Sequence, residues 1–181
     1  MNAMHLAVEF KTHQALPGLI PRPRMQSAET GDLIVILNQG IAHAVDLRWR
    51  TKYAFWLAND GGLYNLHVTL REFCFELDAA AELMAARVDA LGGVPQCRAA
   101  AVARNSRLPS HPPTRRGSFN LGDALIRSHH SAARHLILAT TRAMRQNDRV
   151  TASIFRSFSA VQQQQARFLK TYLPEQLKTE T

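Results

Sequence analysis

From Leu63 to Leu91 the chain repeats apolar side chains every three or four residues: Leu63, Leu66, Leu70, Phe73, Leu77, Ala80, Met84 and Leu91, with Arg87 in the remaining slot. That period places them along one side of a helix, and Gly92-Gly93 stops it. At 1.5 Å per residue such a helix is about 40 Å long, the length of a bundle helix rather than of a helix beside a parallel sheet.

A second helix of that length precedes it. Leu33, Leu37, Gly40, Ala44, Leu47, Ala54 and Phe55 predict a helix from Gly31-Asp32 to about Ala58, divided from the next by the turn signal Asn59-Asp60-Gly61-Gly62. Beside this stripe runs another, Val45, Trp49, Tyr53 and Trp56, which reads either as a subunit contact or as a wide buried face. Pro95, Pro109, Pro112 and Pro113 break the stretch 92–117, leaving room for one short helix over 97–103. Helix signals resume at Ser118, an N-cap type, with Leu121, Leu125, Ala132, Leu136 and Ala143. A last helix, from Val150 to Tyr172, uses Ile154, Phe158, Val161, Phe168 and Leu169 and is limited by Pro174. The expected fold class is all-α: a ferritin-like four-helix bundle over residues 31–173, with a short helix in the long connection between helices 2 and 3. Residues 1–30, broken at Pro17-Gly18 and at Pro21 and Pro23, read as an extended arm, and 174–181 as a tail.

The 181 residues are 46% hydrophobic and carry a net charge of +8, enough apolar material for one packed domain and too polar for a membrane span. The charge is unevenly placed. Residues 1–95 hold eight Lys/Arg against ten Asp/Glu, whereas 96–181 hold fourteen against four, and twelve of those fourteen are arginine. Arginine's planar fork suits phosphate and carboxylate, so the partner is a nucleic acid or the acidic half of a neighbouring copy. Met1 to Phe10 lacks the basic start and apolar middle of a secretory leader, and Cys74 and Cys97 are too few for a disulfide framework, which points to the cytoplasm.

Within the predicted bundle, residues 37–47 (LNQGIAHAVDL), 51–56 (TKYAFW), Leu66-His67, 84–87 (MAAR) and 91–94 (LGGV) resemble the Dps family of ferritin-like proteins, with a weaker continuation to Tyr172. The resemblance implies four-helix subunits assembled into hollow twelve-subunit shells. It also implies non-specific DNA binding, a nucleoid-associated place in the cytoplasm, and peroxide-driven oxidation of ferrous iron at sites shared by the two subunits of a dimer.

Iron oxidation needs carboxylates and imidazoles converging on an open coordination position. By resemblance, the first ligand is a histidine just before the tryptophan of helix 1; here Phe55 stands before Trp56. The second, opening helix 2, is retained as His67, but the aspartate expected four residues on is Arg71. Of the acidic pair expected from the partner subunit, Glu82 is present and the second position is Ala86. Iron is therefore expected to bind weakly or not at all, with Arg71 pairing Glu82 across the dimer in place of the metal. The rival is an active ferroxidase rearranged around His67 with Asp78 or Glu76; a further alternative is a structural cage that binds neither DNA nor iron.

Two other signals bear on partners. The link between the last two helices, acidic in the family, here reads Gln146-Asn147-Asp148-Arg149 with Arg142, Arg145 and Arg156 near it, which favours anions over cations. DNA contacts are expected from Lys11, Arg22 and Arg24 of the arm and from Arg115 and Arg116 of the connection, multiplied by the copies in a shell. His129, His130 and His135 lack the i, i+4 spacing of a helical metal site and are expected to be exposed or at an interface. Cys74 reads as a buried structural thiol.

Overall fold

Gly92 and Asn147 end two of the long helices by the same device. Each takes a left-handed conformation, φ 77° for Gly92 and 55° for Asn147. Gly93 N–H then reaches back to the Val88 carbonyl at 2.9 Å, and Asp148 N–H to that of Ala143 at 3.0 Å, satisfying carbonyls that a helix end leaves open. In the second case the closing residue also starts the next helix, because the Asp148 carboxylate accepts the Thr151 N–H at 2.9 Å.

A computed structural model describes residues 28–57, 64–110 and 119–177. Its elements are α1 (Ala28–Leu57), α2 (Tyr64–Ala90), α3 (Ala99–Asn105), α4 (Phe119–Arg145) and α5 (Arg149–Leu177), with no strand among the described residues. Four long helices and a short one inside the long connection match the expected class. Helix α5 passes the expected stop and continues beyond Pro174 to Leu177, since proline removes one backbone donor without turning the chain when only a last turn follows. No described helix is long and apolar enough to cross a membrane.

Register follows from the side chains that meet. Arg48 pairs with Asp78, so α1 and α2 run antiparallel. His129 meets Gln162, which sets α4 against α5. Arg87 meets Asp148, and Phe73 meets Phe168, so α2 and α5 are antiparallel as well. Between these helices lie Leu37, Leu47, Leu70, Leu77, Met84, Leu125, Leu136, Phe155 and Leu169, all essentially without solvent contact. Gly40 lets α1 approach α2 closely: a Cβ there would stand 2.6 Å from the Met84 sulfur.

The stripe Val45, Trp49, Tyr53 and Trp56 is not a second buried face within the chain. Trp49 and Trp56 are 55% and 54% exposed, with ring centres 6.5 Å apart. The arm residues Lys11, Arg22 and Arg24, and Arg115 and Arg116 of the connection, lie outside the described residues.

Candidate functional site

The last turns of α1 and the first turn of α2 bring Phe55 and His67 together. Their rings stack with centres 3.8 Å apart, and the Phe55 carbonyl lies 3.2 Å from His67 Nδ1. A carbonyl oxygen only accepts, so Nδ1 carries the proton and donates, leaving the Nε2 lone pair unused. One turn before Phe55, Lys52 folds over the same ring, its Nζ 4.1 Å from the centre. The phenyl ring thus has both an ammonium and an imidazole within about 4 Å of its centre. A cation against an aromatic face is attracted to the ring's quadrupole, which fixes Lys52 in this position.

The other positions singled out by sequence lie further apart. Arg71 is exposed one turn beyond His67, and Glu82 and Ala86 are exposed on later turns of α2. His67 and Glu82 are separated by about 22 Å of helix, so within one chain they do not face one ion. No group of three or more His, Cys, Asp or Glu side chains among the described residues is placed to hold a metal.

The two carboxylates that could have built a displaced site are engaged elsewhere. Asp78 receives Arg48 Nε at 2.8 Å, and Glu76 accepts a hydrogen bond from the Gln165 amide. Asp148, the carboxylate between the last two helices, is likewise committed. It takes Arg87 Nη2 at 2.9 Å and the Thr151 hydroxyl at 2.6 Å. Burial pushes its pKa up, but the Thr151 and Arg87 hydrogen bonds outweigh this and hold it below the ordinary carboxylate value.

The histidines of α4 depart from expectation. His130 is exposed, but His129 is wholly buried, with Nδ1 2.8 Å from Gln162 Oε1, and burial pushes its pKa down to about 4. His135 stacks on His43 of α1 at 4.7 Å. His43, which the sequence reading passed over, is also buried and lowered to about 4, first by burial and then by the neighbouring His135. Its Nε2 accepts the Arg107 N–H at 3.1 Å. One and two turns further along α1, Asp46 accepts the Ser106 hydroxyl and Arg50 donates to the Pro109 carbonyl, so three α1 side chains clamp residues 106–109. Their signal in the sequence was spacing: residues 43, 46 and 50 lie on one helical face. Cys74 is buried as expected, its pKa raised by burial.

Residues 34–177 match the family described as the ferritin-like domain. A protein of Agrobacterium fabrum named "DNA protection during starvation protein" is 28% identical over 166 residues, covering 92% of this chain and 99% of its own. DpsC from Streptomyces coelicolor superposes with a TM-score of 0.76 at 23% identity, over 90% of this chain and 96% of its own. A Dps protein from Vibrio cholerae, titled as a member of a broad superfamily of ferritin-like diiron-carboxylate proteins, gives 0.74 at 14% identity, over 86% and 99%. With the bundle order and the sequence match in agreement, the chain belongs to the ferritin-like domain family.

Proposed function

We propose that this chain is a Dps-type protein that builds a hollow homo-oligomeric shell of twelve subunits, which protects and binds DNA without sequence preference and in which iron oxidation is weak or lost. The observation that carries this reading is the Lys52–Phe55–His67 cluster. Where the family resemblance calls for an imidazole ligand there is a phenyl ring, capped by an ammonium. Ferrous iron, the substrate of such a site, meets one imidazole, the positive charges of Lys52 and Arg71, and only Glu82 from the partner subunit. Hard cations need several oxygen donors and are repelled by fixed positive charge at this range, so the balance is against occupancy. In the dimer, Arg71 pairs with Glu82 of the partner subunit and supplies the charge the metal would have supplied. Trp49 and Trp56, exposed on α1, belong to the proposed dimer contact.

DNA binding is supported by the basic second half of the chain and by the name of the Agrobacterium relative. Lys11, Arg22 and Arg24, with Arg115 and Arg116, are its proposed contacts, and a cytoplasmic, nucleoid-associated place follows from that role. One observation favours residual iron chemistry: His67 is oriented as a metal-binding histidine is, with Nδ1 tied to a carbonyl and Nε2 free. Mixing the assembled protein with ferrous iron and peroxide tests the reading. The expected oxidation rate is within about twofold of buffer alone; fast, saturating oxidation of a few irons per subunit pair overturns it in favour of a rearranged ferroxidase.

A further inference from the structure

Helices α4 and α5 carry eight Lys/Arg against two Asp/Glu, whereas α1 and α2 carry five against eight. The surplus on α4 is ordered. Arg127, Arg134, Arg142 and Arg145 are separated by seven, eight and three residues, which puts them within about 80° of arc along about 27 Å of helix. All four are exposed, and the opposite side of α4 holds its buried residues Leu125, His129, Ala132 and Leu136. The row therefore points outward from the bundle. The three ion pairs among the described residues use Arg48, Arg50 and Arg87, none of them in the row. The single carboxylate of α4, Asp123, stands one turn before Arg127, at the row's end.

We propose that this α4 row is a docking face for the phosphate backbone of duplex DNA. The inference rests on the proposed DNA-binding function and gives it a surface within the folded bundle, apart from the arm. Four forked cations in a line of about 27 Å match a polyanion that carries one charge per roughly 1.7 Å of its axis. Contacts to phosphate carry no sequence information, so binding through the row is independent of sequence and steeply dependent on salt.

The competing occupant is a second copy, through the acidic face of α2. Leu138, exposed in the middle of the row, is the side chain that most favours it. The charge balance decides against it. With Asp78 paired to Arg48 and Glu82 assigned to Arg71, α2 retains Glu72, Glu76 and Asp89, fewer than the four arginines of the row, so a positive surplus survives any such pairing.

The test uses the full chain with Arg127→Gln, Arg134→Gln, Arg142→Gln and Arg145→Gln combined, glutamine being a good helix former. A second variant combines Lys11→Gln, Arg22→Gln and Arg24→Gln. Fluorescence anisotropy of a labelled mixed-sequence duplex is followed across salt, and each oligomer is sized by light scattering. The row variant is expected to keep its assembly, to bind at least about tenfold more weakly at low salt, and to lose about 2 to 4 from the slope of log affinity against log salt. The arm variant is expected to keep a measurable part of that slope. Unchanged binding by the row variant overturns the α4 face while leaving DNA binding standing. Loss of assembly in that variant overturns it by assigning the row to a subunit contact. Absence of DNA binding by the unmodified protein overturns the proposed function as well.

Discussion

Acidification should loosen this bundle in a window set by two imidazoles. The folded chain holds His43 and His129 neutral, with pKa values of about 4, whereas unfolding returns them to about 6.5. The unfolded chain therefore binds more protons throughout that interval, and stability fully present above pH 6.5 is lost as pH falls towards 4. At pH 5 each imidazole takes up about 0.9 proton on unfolding, so the two give a slope of about 2.4 kcal/mol per pH unit and a loss of roughly 4 kcal/mol between pH 7 and pH 5. The cause is local. A proton on His43 turns Nε2 from an acceptor of the Arg107 N–H into a donor and places a charge among His135, Arg107 and Arg50, with only Asp46 opposed to them. His135, lowered by burial and Arg134, adds in the same direction, while Asp148 acts in a separate window below about 3.8. Urea denaturation followed by circular dichroism from pH 7 to 5, at one protein concentration, measures the slope. His43→Gln and His129→Leu should each lower stability at pH 7 yet remove close to one proton from the uptake. An uptake below one proton in the unmodified protein, or a slope untouched by both substitutions, refutes the reasoning.

Supplying the ligands that the proposed function takes to be lost, as Phe55→His, Arg71→Asp and Ala86→Glu together, should raise iron bound per dimer from near zero to at least one, measured by metal analysis of the assembled peak. An unchanged count means that the site was not lost at those three positions. Asp148→Ala removes the α5 N-cap and the partner of Arg87 together, and should cost about 2 to 3 kcal/mol in denaturant titration. Gly92→Ala forces a Cβ into the left-handed region at φ 77° and should cost about 1 kcal/mol by the same measurement. Trp49→Ala with Trp56→Ala should shift the oligomer towards smaller species in light scattering with little change in helix content, because both rings are more than half exposed in the single chain.

The long helices were legible because their signal is periodic and repeated. Leu66, Leu70, Leu77 and Met84 each report the same buried side, and Gly92-Gly93 marks its end by a conformation that favours glycine. Asn147 does the same work less visibly, since asparagine visits the left-handed region while also being common elsewhere. The histidines of α4 were misread because burial there depends on what the facing helix supplies. His129 enters the core only because Gln162, from the run of four glutamines on α5, offers it an acceptor. His43 and His135 depend in the same way on each other. Lys52 was missed because its role comes from folding over a ring three residues away, a geometry the spacing permits without requiring.

The proposed loss of iron oxidation and the charge distribution share one physical basis. A surface that collects ferrous ions needs negative potential, and a surface that holds a polyanion needs the reverse. A small shell of identical subunits repeats every choice in every copy, so the two demands compete. In this chain the carboxylates best placed to attract a cation are tied down: Asp78 by Arg48, Asp148 by Arg87 and Asp46 by Arg50. The arginines of α4 stay outside those pairs and face outward. Such a division lets the bundle use its acids as internal fasteners and expose its bases. Reversing it at one pair should then show both effects at once. Arg48→Gln frees Asp78, at a cost in stability of about 1 kcal/mol for a half-exposed pair, and should weaken DNA binding slightly by lowering net charge. If Arg48→Gln instead strengthens DNA binding at constant salt, potential does not govern the partner and the argument from charge fails.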